Sequence, residues 1–366
     1  MSRLVGASAR RSGWPAHAQL SLCLLLLGAA MGCAGAPTPA AGAAEPATPG
    51  EASRVAPPID LLAYAPENAR VFALFDLRSI RRSPYYEPIA TWLSETASLE
   101  DDELVWIERL VAGIDRVLIT GVGGDEDDVL VVAQTQLESD DGVLANAGFL
   151  PQRIADRDVF VQQSSPESLT VPAEVEERLL LAPLGQGAFL LGDEPVVLRQ
   201  LLRGSPARRP AALESPRSRR VFEGLGVERS DIGLVYLFDS DSSPLPPELA
   251  PLVSRQSLPE LMVARVGLQG GLNIAIDAFY PDSTGPRAAH GELSGVLEQA
   301  RPLLAVMGFD HAAQSLRIGA VGQTLSASLD FSHAEVLRML QMLAAVPGLL
   351  EGASLGAPPG APGPTP

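Results

Sequence analysis

The hydrophobic pattern of the chain predicts the same order of strands and helices in two successive parts. VFALFD at residues 71–76 and LVYLFD at 234–239 combine aliphatic, aromatic and β-branched residues, a pattern typical of buried strands. A turn containing Ser and Pro follows each, and apolar spacing then predicts helices over 85–96 and 247–255. The first part has a further predicted helix at 101–114, where acidic residues favour the N-terminal end.

The next segments continue this correspondence. DRVLITGVGGDEDDVLVVAQTQ in the first part and LMVARVGLQGGLNIAIDAFY in the second are each predicted to be two strands joined by a glycine turn. Predicted helices then end in the related phrases LANAGF (144–149) and LAVMGF (304–309), whose glycine suits a helix C-cap. Each part closes with a Gly-Gln pair among strand residues and a helix containing Val-Leu-Arg, at 197–199 and 336–338.

Five matching segments in one order indicate an ancient duplication. The predicted class is α+β, with two tandem domains that each have a mostly antiparallel sheet and helices packed on one face. A Pro/Arg/Ser-rich segment divides the copies, and a Pro/Gly-rich tail is expected to be disordered. The expected organisation is a signal peptide at 1–32, a tether at 33–58, domains at 59–203 and 221–350 separated by a linker at 204–220, and a tail at 351–366.

The N-terminus has the features of a secretory signal: arginines without acids, an apolar run too short to span a bilayer, and small residues before a cut. Ala30-Met31-Gly32-Cys33 resembles the bacterial lipobox. In that family the signal is cleaved before the cysteine, which becomes the lipidated first residue. The resemblance therefore implies acylation of Cys33, while an ordinary signal peptide with an incidental cysteine is the alternative.

The residues that follow Cys33 fit a tethered envelope protein. They are small, Pro-rich and nearly uncharged, and cannot bury enough apolar surface to fold. Several acyl chains hold a protein stably on a membrane. The neighbour of the cysteine is Ala34 rather than Asp, which by resemblance favours the outer membrane over the inner one. The protein would face the periplasm or the cell surface.

Charge and composition exclude several classes of function. A net charge of −17 opposes binding to nucleic acid and to anionic headgroups, which leaves the lipid as the expected membrane attachment. The sequence contains no lysine, so it lacks the essential residue of Walker-type phosphate loops, protein kinases and pyridoxal phosphate enzymes. Its second cysteine, Cys23, lies in the signal, so no internal disulfide or thiolate metal site is expected after cleavage.

Local motifs also give little support for catalysis. VLITGVGG lacks the helix that a dinucleotide turn requires, because another strand pattern follows it. GASLG at 352–356 lies in the tail, after the last histidine, which does not fit a hydrolase elbow. The three histidines beyond the signal, His290, His311 and His333, have no zinc-site spacing. No cofactor or metal is predicted from these motifs.

Two sets of carboxylates are the remaining candidate sites. The acidic turn Asp125, Glu126, Asp127 and Asp128 could supply oxygen ligands to Ca²⁺, although the EF-hand spacing is absent and a solvated hairpin tip is the simpler interpretation. Asp76 and Asp239 end equivalent strands and could serve a carboxylate-based hydrolase. A strand-terminal Asp more often caps the following turn.

The stretch VFALFDLRSIRRSPYY resembles two-repeat envelope lipoproteins of high-GC Gram-negative bacteria, to which no activity is assigned. We expect a membrane-anchored, non-catalytic binding or interaction module with another envelope component as its partner. A carrier or sensor of an apolar ligand is the first alternative, and a hydrolase is the second.

Overall fold

A computed structural model describes residues 59–88, 113–121, 129–135, 144, 149–154, 156–162, 179–185, 187–203, 209–238 and 258–344. Within these ranges twelve strands form one sheet. The strands are β1 Val71–Asp76, β2 Ile114–Gly121, β3 Val129–Thr135, β4 Phe149–Ile154, β5 Arg157–Gln162, β6 Leu179–Gly185, β7 Ala188–Asp193, β8 Ile232–Leu237, β9 Leu261–Gly267, β10 Gly271–Phe279, β11 Arg317–Val321 and β12 Thr324–Ser332.

The described helices are α1 Leu77–Arg82, α2 Glu194–Leu202, α3 Ala211–Glu214, α4 Pro216–Leu225, α5 Thr284–Val306, α6 Asp310–Ser315 and α7 His333–Ala344. Short 3₁₀ turns at Leu61–Tyr64 and Val227–Arg229 precede β1 and β8. No helix in these parts of the chain is both long enough and apolar enough to cross a membrane.

The strand order repeats between the two copies. It reads β11-β12-β10-β9-β8-β1-β2-β3-β7-β6-β5-β4, and every neighbouring pair is antiparallel. Outward from the central β1–β8 pair, β1-β2-β3-β7-β6 corresponds to β8-β9-β10-β12-β11, and the hairpin β4–β5 extends the first copy. The predicted α+β class is confirmed, and the two sheets join into one through β1 and β8.

Apolar residues cover both faces of the central strands because they occupy adjacent as well as alternating positions. Phe72 and Leu74 of β1 belong to one buried cluster with Leu118 and Val132, and we call this side the Phe72 face. Phe75 belongs to a second cluster on the opposite side, the Phe75 face, whose buried members include Val117, Val131, Leu181 and Leu191.

The helices divide between these faces. In the second copy, α5 packs through Ala289 and α7 through Val336, both on the Phe75 face, whereas the end of α4 packs on the Phe72 face through Phe222. In the first copy α1 packs on the Phe75 face too, through Ile80. However, α2 packs on the Phe72 face through Val197, because the strands of this copy are apolar on that side as well.

The predicted linker contains helical structure in its described part. Residues 211–214 form α3, and α4 begins at Pro216, where the preceding Ser215 accepts a hydrogen bond from the Ser218 N–H at 3.0 Å. Leu213 and Phe222 are buried in the Phe72-face cluster. The segment between the copies therefore packs against the sheet through apolar residues, although its Pro/Arg/Ser-rich composition predicted a solvated linker.

Candidate functional site: an exposed apolar surface on α5 and α7

The C-terminal part of α5 carries strongly exposed apolar side chains. Val306 is 86% exposed and Leu303 is 63% exposed, and nearly half of Met307, the residue that follows the helix, is accessible. Residues three and four apart lie on one side of a helix, so these three side chains form one continuous stripe. The stripe extends back to Val296, which is also about half exposed.

The end of α5 protrudes because its packing contacts lie elsewhere. Ala289 and Leu293, in the first half of the helix, pack against strand residues Ala278 and Leu325. Over the segment 301–307 every residue is exposed except Leu304, which is half-buried. The last two turns therefore project apolar side chains into solvent rather than into the core.

Helix α7 contributes to the same surface. The Arg338 guanidinium donates a hydrogen bond to the carbonyl oxygen of Gly308, which holds α7 beside the end of α5. Met342 lies one turn beyond Arg338 on the same side of α7, and nearly half of it is exposed. We call Leu303, Val306, Met307 and Met342 the terminal apolar surface.

The turn after α5 fixes this geometry and confirms a predicted cap. Gly308 has φ +81°, a left-handed conformation that closes helices and favours glycine. The Phe309 N–H donates to the Leu304 carbonyl at 2.8 Å, and Phe309 packs edge-on against Phe331 at a centroid distance of 5.7 Å. The buried Phe309 therefore anchors the turn beside which the exposed residues protrude.

Charges are sparse along the end of α5. Within Gln299–Met307 (QARPLLAVM) Arg301 is the single charged residue, although the whole chain has a net charge of −17. The Arg301 guanidinium donates to the Leu316 carbonyl at 2.7 Å, so it lies at the border of the helix near β11. The surface is thus aliphatic and methionine-rich, with Arg301 and Arg338 beside it.

A second apolar feature crosses the Phe75 face. The strand registers place five residues in one row across β1, β8, β9, β10 and β12: Ala73, Leu234, Ala264, Ile276 and Ala327. Leu234 and Ile276 are each 37% exposed although they lie on interior strands of the sheet. The row is therefore a strip of small and aliphatic side chains about 19 Å long at the usual strand spacing.

The structure places the predicted site residues as follows. Cys33, Asp239 and the acidic turn Asp125, Glu126, Asp127 and Asp128 all lie outside the described residues. Asp76 is described, and its carboxylate accepts a hydrogen bond from the Ser79 N–H at 2.9 Å as the N-cap of α1. This capping role is the simpler of the two interpretations offered by the sequence.

A polar cluster lies beside Asp76, where the two copies meet. The buried Asp231 carboxylate accepts hydrogen bonds from the Ser79 hydroxyl and from the Leu268 N–H. The Gln269 side chain donates to the Ser79 hydroxyl at 3.2 Å. Ser79 and Asp231 come from different copies, so these hydrogen bonds join the two halves of the sheet. None of these contacts involves a histidine that could activate the Ser79 hydroxyl.

The described histidines have structural partners. His333 Nδ1 lies 3.0 Å from the Tyr85 hydroxyl, and the two rings are 5.3 Å apart. Burial raises the pKa of Tyr85. His290 lies within α5 next to Ser294, and the His311 N–H donates to Glu335 at 2.7 Å. Among the residues with described positions, no group of three or more potential metal ligands converges.

Glu335 joins two helix N-termini. One carboxylate oxygen accepts hydrogen bonds from the N–H groups of His311 and Ala312 at the start of α6, and the other from Ser332 just before α7. Burial raises the pKa of this carboxyl, but these donors outweigh that effect and bring the pKa below its ordinary value. The arrangement is a capping box that also caps a neighbouring helix.

The terminal apolar surface was not predicted from the sequence. Its signal is present, because Leu293, Leu297 and Leu304 define one side of α5 while Val296, Leu303 and Met307 define another. A helix that is apolar on more than one side has more hydrophobic surface than a single packing contact requires. Only the position of α5 at the end of the sheet shows which side stays exposed.

No protein-family model matches this chain, and no curated protein matches it. Among solved structures, the chain is similar to crystal form I of TP0453, with 11% identity and a TM-score of 0.44, over 79% of this chain and 98% of that chain. Crystal form III of TP0453 gives 12% identity and a TM-score of 0.46, over 79% of this chain and 99% of that chain. Similarities this distant assign neither a family nor an activity.

Proposed function

We propose that the protein is a lipid-anchored, non-catalytic binding module of the bacterial envelope, held at the outer membrane through Cys33. The observation that carries this proposal is the terminal apolar surface, where Leu303 and Val306 are mostly exposed. Contiguous exposed apolar side chains mark interaction sites on soluble domains, because covering them removes apolar area from water. The charge and composition of the chain favour a contact of this kind over phosphate recognition or amine-based catalysis.

Site-specific photo-crosslinking in cells tests this function. A diazirine amino acid replaces Val306, and the control places the same probe at Val321, an aliphatic residue that is 81% exposed on edge strand β11. We expect discrete adducts, with protein or lipid, from position 306 and none from position 321. Equal labelling from both positions would contradict a specific contact surface.

The anchor requires a separate measurement. Intact-mass analysis of the mature protein should show an N-terminus at Cys33 that carries acyl chains. Replacement of this cysteine by serine should abolish the acylation. A wild-type mature chain without acyl chains would contradict the anchor while leaving the contact surface to be tested by crosslinking.

A second candidate function is the binding of an apolar ligand on the Phe75 face. The row from Ala73 to Ala327 supports it, because Leu234 and Ile276 remain 37% exposed on interior strands. One extended hydrocarbon chain matches a strip of this length, and the described residues of the row offer no polar side chain to a ligand.

Native mass spectrometry of the protein purified without detergent tests the ligand. We expect a bound lipid-sized mass in the wild type and its loss in Ile276→Thr, which keeps a β-branched shape but adds a hydroxyl. Val321→Thr is the matched control and should retain the mass. Absence of any bound mass from the wild type, with all variants folded, would exclude this candidate.

A further inference from the structure

We propose that the terminal apolar surface contacts the lipid bilayer and gives the body of the protein a second membrane attachment beside the acylated Cys33. This inference rests on the proposed function and names the partner of that surface. It differs from the expectation that the lipid anchor is the sole membrane attachment, which follows from the net charge alone. The local charge and the chemistry of α5 favour the bilayer over a protein partner.

The residue types of the surface suit lipid better than a protein. Contact surfaces between proteins are enriched in aromatic residues, Met and Arg, and Trp and Tyr anchors commonly fill pockets at their centre. The terminal apolar surface instead has no aromatic residue, and its most exposed side chains, Leu303 and Val306, project from a helix end. Flexible aliphatic side chains on a protruding helix can enter the boundary of the acyl region without a shaped receptor.

The charge around the surface also fits headgroups. Although the chain is acidic as a whole, the segment Gln299–Met307 has Arg301 as its single charged residue, and Arg338 lies beside Gly308. Each of these guanidinium groups donates one N–H to a backbone carbonyl oxygen and has further N–H groups that can reach lipid phosphates, while its aliphatic part stays with the apolar residues. The segment Gln299–Met307, which lies between Glu298 and Asp310, therefore adds one positive and no negative charge to this end of α5.

The length of chain between anchor and body allows this contact. Residues 34–58 separate Cys33 from Ile59, the first described residue. That segment spans at most about 85 Å when extended. An acylated Cys33 thus holds the body close enough to the bilayer for a weak apolar contact to be populated, since tethering raises the effective concentration.

Vesicle flotation of the unacylated protein tests the inference. The mature chain with Cys33→Ser is mixed with neutral phosphatidylcholine vesicles, with and without 0.5 M salt. We expect part of the protein to float at both salt concentrations, because salt does not screen an apolar contact. In a double variant of two surface residues, the floated fraction should fall about ten-fold. The double variant is Leu303→Asp with Val306→Asp, and Val321→Asp is the control, expected to float like the unsubstituted chain.

The outcomes separate this inference from the proposed function. Circular dichroism must show the same fold in all three proteins, which the exposure of the substituted residues favours. If no protein floats, or if the double variant floats as well as the control, the bilayer contact is wrong. If the bilayer contact fails in the flotation test while crosslinking from position 306 in cells gives a defined protein adduct, the contact surface stands and its partner is a protein.

Discussion

Phe72 and Val235 lie directly opposite each other in the antiparallel pair of β1 and β8. They are also equivalent residues, since each is the second position of the matching segments VFALFD and LVYLFD. An antiparallel pairing centred on equivalent residues is what a local two-fold axis produces between two copies of one unit. The flanking backbone hydrogen bonds keep this register. The Leu237 N–H donates to the Arg70 carbonyl oxygen, and the Asp76 N–H donates to the Asp231 carbonyl oxygen.

Because of this pairing, a substitution of Phe72 tests whether the two copies unfold together. Phe72 and Val235 are both fully buried, and Phe72→Ala should lower the free energy of unfolding by about 3–5 kcal/mol. Because the copies share one sheet, circular dichroism should show a single unfolding transition that shifts as a whole to a lower denaturant midpoint. Leu303→Ala, at an exposed site, should change stability by less than about 0.5 kcal/mol. Two separate transitions in the wild type would contradict a shared core.

Glu335 should make stability depend on pH in the acid range. Its pKa is lower in the folded protein than the ordinary 4.5, because backbone donors of α6 and Ser332 favour the carboxylate. A carboxyl group whose pKa is lowered on folding contributes its full stabilisation at pH values above its ordinary pKa. This contribution is lost as the pH falls through the pKa of the folded protein. Glu335→Gln should therefore cost about 1.5 kcal/mol at pH 7 and progressively less below pH 4.

Denaturant unfolding of the two proteins between pH 7 and pH 3 measures this difference. The matched control is Asp310→Asn, which alters an exposed carboxylate in the first turn of α6. A difference between wild type and Glu335→Gln that stays constant down to pH 3 would show that the carboxylate charge does not stabilise these helix ends.

Gly187 is required at the turn between β6 and β7. Its φ is +73°, and a Cβ at this position would meet the carbonyl oxygen of Thr135 on the neighbouring strand. Gly187→Ala should therefore destabilise the protein by more than about 1 kcal/mol, from the left-handed backbone alone. Gly319→Ala on edge strand β11 is the control, because open space surrounds that position. Equal thermal midpoints for the two variants would contradict this account of the turn.

The sequence predicted the repeated elements well because local patterns determine them. The strand segments, the glycine turn at Gly270–Gly271 and the C-cap at Gly308 each depend on a few neighbouring residues, and the structure contains them. The other predicted glycine turn lies outside the described residues, as do most of the helices predicted over 85–96, 101–114 and 247–255. Asp76 likewise caps the helix that directly follows its strand. These features need no knowledge of distant parts of the chain.

The features that were missed depend on contacts between distant residues. The pairing of β1 with β8 joins the two copies, yet no local signal distinguishes an edge strand from a central one. The face chosen by α2 is decided by apolar residues of β3, β6 and β7. Whether Leu303 and Val306 are buried or exposed depends on where α5 ends relative to the sheet, which the helical pattern does not contain.

Methionine oxidation in intact cells tests the central claim most directly. Met307 and Met342 belong to the terminal apolar surface and are nearly half exposed, so both should oxidise readily in the purified, unacylated protein. In cells carrying the acylated protein, we expect both methionines to be oxidised less than in purified protein given the same peroxide dose. Met262, which is half-buried on β9, should be oxidised equally in the two samples. Equal oxidation of Met307 and Met342 in cells and in solution would contradict the claim that this surface is covered where the protein works.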